Sequence, residues 1–286
     1  MENISKDLSI DGKPLRVHGV STGMVAVKQK YKDAHFRGLA GIISFFLDKQ
    51  FTEWLPIWVW VIEHPAGTFL VDTGENSRVS QADYFKSSGW FAHWLNTTQF
   101  KFKVEREDEI DVKLKELGLS PGQIDKVILT HLHLDHIDGL SYFEGKEILV
   151  NKREWEKPFG DLPRLYPSWF DPQKISLDDE FPPFKRARFL SPAKDLILVE
   201  TSGHTHGHCS LLLKTDQGYL LFAGDVVYEQ EQLKANRYSG GNVSRKKSEK
   251  SYQMIEAFAQ HNKLVFLPSH DLHAGKRLRE MEALEV

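Results

Sequence analysis

Cysteine is almost missing from this chain: Cys209 is the only one in 286 residues. A single thiol cannot close an intrachain disulfide, which fits a reducing compartment. A basic excess is also missing. Lysine and arginine number 37 against 40 aspartates and glutamates, a formal net charge of -3, whereas a protein that grips nucleic acid electrostatically is expected to be basic. Long apolar runs are absent too. The longest, 38–47, is about half of what a membrane-spanning helix needs, and residues 1–10 carry Glu2, Lys6 and Asp7 without the apolar stretch of a signal peptide. These absences predict a cytoplasmic protein that meets neither nucleic acid nor membrane. No fixed-period repeat or low-complexity block appears, the composition is ordinary for a globular protein, and residues 1–286 read as one domain.

What the chain does have is histidine. It holds 13, and eight of them fall in three stretches: His131, His133 and His136; His204, His206 and His208; His270 and His273. Their surroundings are strand-like. Apolar, β-branched runs predict strands at 15–27, 57–63, 68–71, 126–129, 147–150, 196–200, 210–214, 219–222 and 264–267. Turn residues at 64–67 and 215–218 predict two hairpins. Helical periodicity predicts helices at 107–117, capped by Gly118, and at 246–261. Residues 158–192, rich in proline and aromatics, read as a long ordered loop. Two segments, 36–60 and 84–94, are dense in aromatic side chains and are candidates for core, a dimer face or an apolar substrate pocket.

Position turns these histidines into metal chemistry. His131 and His133 alternate just past a predicted strand and therefore project together. Asp135 and His136 follow in the turn. The second cluster opens on Gly203, which permits close backbone approach, and offers His204, His206 and His208. Asp225 and His270 each end a predicted strand. Imidazoles and carboxylates at this density suit a borderline divalent ion such as Zn²⁺. The inventory exceeds the four ligands one ion needs, which suggests two.

The segment His131-Leu132-His133-Leu134-Asp135-His136 resembles the HxHxDH signature of the metallo-β-lactamase superfamily. Asp72-Thr73-Gly74, Gly203-His204-Thr205, Gly224-Asp225 and Ser269-His270 resemble its other motifs, in the same order. The resemblance implies an α/β fold of the αββα sandwich type: two mixed β-sheets flanked by helices, with the metals at one edge. It implies that His131, His133 and His204 hold a first ion and Asp135, His136 and His270 a second, with Asp225 bridging them. It places His208 and Asp72 behind the ligands as supports. His206 and His273 receive no role, and Cys209 reads as a small core residue.

Within the superfamily the chain is most similar to the N-acyl homoserine lactone lactonases. Tyr228, three residues after Asp225, resembles their substrate-contacting tyrosine. The apolar insert at about 30–56 looks like that of the AidC-type lactonases, where such a segment shapes an acyl-chain pocket and a homodimer. The resemblance implies quorum quenching: two divalent ions, most readily Zn²⁺, activate a water that opens the lactone ring, with Asp135 moving the proton and Tyr228 polarising the carbonyl. Alternatives on the same fold are a glyoxalase II-like thioesterase, for which Arg245, Lys246 and Lys247 would offer cations, and an iron-dependent redox enzyme. The flavodiiron type of the latter places a glutamate where this chain has Leu134. A β-lactamase would carry a cysteine ligand near Asp225, and none is there.

Overall fold

Alternation along the strands builds the core. In Leu55–His64, Trp58, Trp60 and Ile62 point to one face and Val59 and Val61 to the other, and all are buried. A strand apolar on both faces must lie in a sheet covered on both sides. The computed structural model describes residues 2–34 and 38–286 and shows how this is done. Strands β1 (Ile4–Ile10), β2 (Lys13–Val27), β3 (Leu55–His64), β4 (Gly67–Val71), β5 (Phe100–Lys103), β6 (Lys126–Ile128), β7 (Glu147–Asn151) and β8 (Gln173–Ile175) form one sheet in the order β1-β2-β3-β4-β6-β7-β8, with β5 paired to β2. Strands β9 (Asp179–Phe181), β10 (Phe184–Phe189), β11 (Leu196–Glu200), β12 (Cys209–Thr215), β13 (Gly218–Gly224) and β14 (Leu264–Pro268) form the second, in the order β14-β13-β12-β11-β10-β9. Both are mixed: β4, β6, β7 and β8 run parallel, as do β13 and β14, and the other pairs are antiparallel.

The inner faces meet in one apolar cluster that joins Trp60, Ile62 and Val71 to Leu211, Phe222 and Leu267. The helices are α1 (Gln29–Lys32), α2 (Gly38–Phe46), α3 (Trp90–Gln99), α4 (Ile110–Glu116), α5 (Leu134–Ile137), α6 (Lys152–Glu156), α7 (Gln230–Lys234), α8 (Arg245–Ala259) and α9 (Ala274–Glu280). Ile110 and Leu114 of α4 cover the outer face of the first sheet, against Val59, Val61 and Val127. Tyr252, Ile255 and Phe258 of α8 cover the second, against Leu221 and Phe266. The layers are therefore α, β, β, α, as the resemblance implies. Each fully buried aliphatic or aromatic side chain here contributes roughly 1.5–3 kcal/mol of transfer free energy.

Both predicted hairpins form, β3–β4 around Pro65-Ala66 and β12–β13 around Asp216-Gln217. Two expectations need correction. The stretch 158–192 is no loop throughout: it contains β8, β9 and β10, short strands whose charged, half-exposed residues and register shift between Phe184 and Ala187 hide their pattern. The helix expected at 107–117 begins as a 3₁₀ turn at Arg106–Asp108. Glu109 is extended (ψ 148°) and restarts the chain as α4.

Candidate metal centre

Strand direction assembles the site. Asp72 follows the end of β4 and the HxHxDH segment follows β6, in parallel register with Val71 opposite Ile128. On the second sheet, Asp225 and His270 follow the ends of β13 and β14, with Gly224 opposite Pro268. The β11–β12 connection carries His204. Five segments thus reach one edge of the sandwich, at the carboxyl ends of parallel strands where α/β folds place ligands. Two groups of ligand-type atoms result, each with all members within 4.8 Å of one another: His131, His133, His204 and Asp225, and Asp135, His136 and His270. Asp225 faces both. Its Oδ1 lies 3.2 Å from His136 Nε2 and 3.3 Å from His270 Nε2, and its Oδ2 lies 3.5 Å from His204 Nε2. Asp135 Oδ2 lies 3.3 Å from His270 Nε2.

The outer nitrogen of each imidazole is committed, which fixes the inner one. His133 Nε2 donates to the Phe159 carbonyl (2.9 Å), His270 Nδ1 to the Pro56 carbonyl (2.9 Å) and His136 Nδ1 to the Asp72 carboxylate (2.8 Å). Thr130 gives its one hydroxyl proton to Asp72, so it accepts from His131 Nδ1 (3.0 Å). Asn242 gives its amide to Ser248 and turns Oδ1 toward His204 Nδ1 (3.3 Å). In the neutral ring each inner nitrogen is then a bare lone pair. His133 Nδ1 and His204 Nε2 stand 2.9 Å apart, and His131 Nε2, His136 Nε2 and Asp225 Oδ1 are buried without a hydrogen-bond partner. Five lone pairs and two carboxylates turned inward need cations between them, so the donor set fits divalent ions.

Electrostatics agree. Burial pulls His131 well below its usual range and His204 to about 3, keeping both neutral. Burial acts on His136 and His270 too, but Asp225 and its neighbouring carboxylates outweigh it, holding His136 well up and His270 at about 10. The acids thus attract positive charge, which metal binding would supply in place of those protons.

Asp72 and His208 stand behind the ligand-type side chains. Asp72, at φ 62°, also accepts from the Thr130 amide. His208 accepts the Asp225 amide on Nε2 (3.0 Å) and pairs with Thr201 on Nδ1 (3.0 Å), so neither nitrogen is free for an ion. Gly224, at φ 56°, lets His208 approach: an added Cβ would lie 2.7 Å from its Nε2. His206 packs edge-on to Phe159 outside the cluster (6.4 Å), and His273 precedes α9 with its amide on Asp271. Cys209 is buried, and burial pushes its thiol well up. Sequence reasoning missed Thr130, Asn242 and Glu154. Thr130 directly precedes the HxHxDH segment and could have been found. Glu154, which accepts from Thr205 and from the amides of Gly207 and Leu132, gave no signal.

A cavity of about 820 Å³ opens on the centre. His133, Asp135, Asp225 and Tyr228 line it beside the centre, and most of its remaining wall is apolar, including Val25, Phe45, Leu95, Phe100 and Phe102. Of the two aromatic segments, Phe45, Phe46 and Phe91 reach this cavity. Trp58, Trp60 and Phe85 are core, Tyr84 hydrogen-bonds Asp138, and Phe36 lies outside the described residues.

The sequence profile of the metallo-β-lactamase superfamily matches residues 52–270, a span that holds every residue of both ligand groups. The chain belongs to this superfamily. Relatives within it include an N-acyl homoserine lactonase AttM of Azorhizobium caulinodans, 27% identical over 229 residues (76% of this chain, 82% of the relative). An N-acyl homoserine lactonase of Bacillus cereus is 28% identical over 224 residues (78% and 84%). Solved structures share the fold. An N-acyl homoserine lactone hydrolase with N-hexanoyl-L-homoserine at its metal centre aligns with TM-score 0.73 at 21% identity, covering 91% of this chain and 94% of that one. The dizinc quorum-quenching lactonase AidC aligns with TM-score 0.63 at 14% identity, covering 96% and 92%. Among the described residues no helix is long and apolar enough to cross a membrane.

Proposed function

We propose that this superfamily member is a metal-dependent hydrolase that opens the lactone ring of N-acyl homoserine lactones, and that its residues 1–286 act as one domain. The observation that carries this reading is the pairing of a His/Asp centre, whose lone pairs all turn inward, with an apolar cavity suited to an acyl tail. The named activity of the relatives supports it. Two divalent ions, most readily Zn²⁺, would be held by His131, His133 and His204 and by Asp135, His136 and His270, with Asp225 shared. Bound there, they would supply an acidified water and Lewis acidity toward a carbonyl.

The chain's own groups do the rest. Tyr228 lines the cavity with its ring stacked on His270 (5.2 Å), and among the described residues its hydroxyl has no hydrogen-bond partner. Burial and its acidic neighbours keep it protonated, so it can donate to the lactone carbonyl oxygen as that atom gains charge. Asp135, on the cavity surface, would carry a proton from the attacking water to the departing ring oxygen. The thioesterase alternative finds little support. Among the described lining residues Arg245 is the only lysine or arginine, and it already packs over Tyr238 (4.3 Å) and pairs with Glu249 (3.4 Å).

Turnover of N-decanoyl homoserine lactone beside S-lactoylglutathione tests the reading. Release of N-decanoyl homoserine with the thioester untouched is expected, and the reverse preference would overturn it. Tyr228→Phe is expected to lower kcat by about 10²–10³ with metal content unchanged; full turnover in that variant would remove Tyr228 from the mechanism.

A further inference from the structure

Aromatic side chains form a continuous series from the metal centre to the surface. Tyr228 stacks on His270, and Tyr31 meets Tyr228 edge-on at 6.5 Å. Tyr31 in turn touches Phe45 at 5.3 Å and Phe100 at 5.2 Å. Beyond Phe45 the series runs through Phe46 and Trp94 toward the exposed Trp90. Tyr31 is therefore the last phenol of this series, which continues outward through phenyl and indole rings. Its position is fixed by the backbone: its carbonyl accepts from the Gly240 amide (2.7 Å) and the Ser239 hydroxyl (2.9 Å). Gly241 lies so close that an added Cβ would fall 2.3 Å from the phenol oxygen. Among the described residues the Tyr31 hydroxyl has no hydrogen-bond partner, although the ring lines the cavity. Burial, then the carboxylates of Asp225 and Asp135, keeps it protonated at neutral pH.

An N-acyl homoserine lactone has its own boundary, the amide between polar ring and apolar tail. Entering this cavity, the amide carbonyl loses water and needs a donor. We propose that Tyr31 is a substrate-binding residue whose phenol donates a hydrogen bond to that amide carbonyl, setting specificity for N-acylated lactones. This rests on the lactonase reading for the identity of the ligand.

Calorimetric titration of the metal-loaded protein with N-decanoyl homoserine and with its α-undecyl analogue, in which methylenes replace the amide, tests the assignment without turnover. Tyr31→Phe is expected to weaken the amide ligand about 3- to 10-fold and leave the analogue unchanged, with an unaltered Tm. Gly241→Ala, which displaces the phenol, is expected to show the same selectivity. Equal weakening of both ligands, no weakening of either, or a wild type that does not bind N-decanoyl homoserine would overturn the proposal. Ring opening assayed on the same samples separates the two readings: a wild type that shows the selective effect but opens no lactone refutes the lactonase function and keeps Tyr31 as the amide donor.

Discussion

At the scale of residues, the centre is defined by what stands behind the ligands. Each imidazole spends its outer nitrogen on a group that can accept a proton, and this decides which nitrogen faces inward. Asp72 does most, accepting from His136, from the Thr130 amide and from the hydroxyl that orients His131. Asp72→Ala is expected to weaken metal binding 10- to 100-fold, measured by competition with a chromophoric chelator. The ligand types were legible in the sequence because their spacing is compact. Apart from Asp72, their partners were not: the carbonyls of Phe159 and Pro56 carry no side-chain signal, and Asn242 lies 38 residues from His204.

Glu75 is buried against Asp138 close to the centre. Burial, then the Asp138 carboxyl, raises Glu75 well above the usual carboxylate range, so folding favours the protonated form. That contribution is complete below the unfolded value of about 4.3 and is lost as pH rises through the higher folded value. Glu75→Gln, which keeps a neutral side chain at every pH, is expected to raise Tm by a few degrees at pH 8 and little at pH 4.5. An equal shift at both pH values would show that Glu75 is not protonated in the folded state.

At the scale of elements, function sits where strands stop. Gly224 ends β13 in a left-handed conformation against His208 and Thr130, and the next residue is Asp225. Gly224→Ala is expected to destabilise the protein by about 2 kcal/mol or more and to weaken metal binding, read by chemical denaturation and metal content. Strands with unbroken apolar runs, such as β3 and β14, were readable because both faces are buried. Edge strand β9 and its neighbour β10 were not, since half-exposed charged positions erase the alternation. The aromatic segments were ambiguous for a related reason: composition does not say which ring meets the core and which the cavity. Only the register of β3, which turns Trp58 and Trp60 inward, separates them from Phe45 and Phe91.

At the scale of the whole molecule, the metal centre ties the two sheets together, because each ligand group draws residues from both. Metal binding is therefore coupled to folding. Removing bound ions with a chelator is expected to lower Tm on the order of 10 °C, with recovery on adding Zn²⁺. A two-ion centre that opens acyl lactones can be checked by titrating metal-free protein with Zn²⁺ while following ring opening of N-decanoyl homoserine lactone by pH-stat. Activity is predicted to rise and level off at two ions per chain. Full ring opening at one ion, or no ring opening with two ions bound, would contradict it.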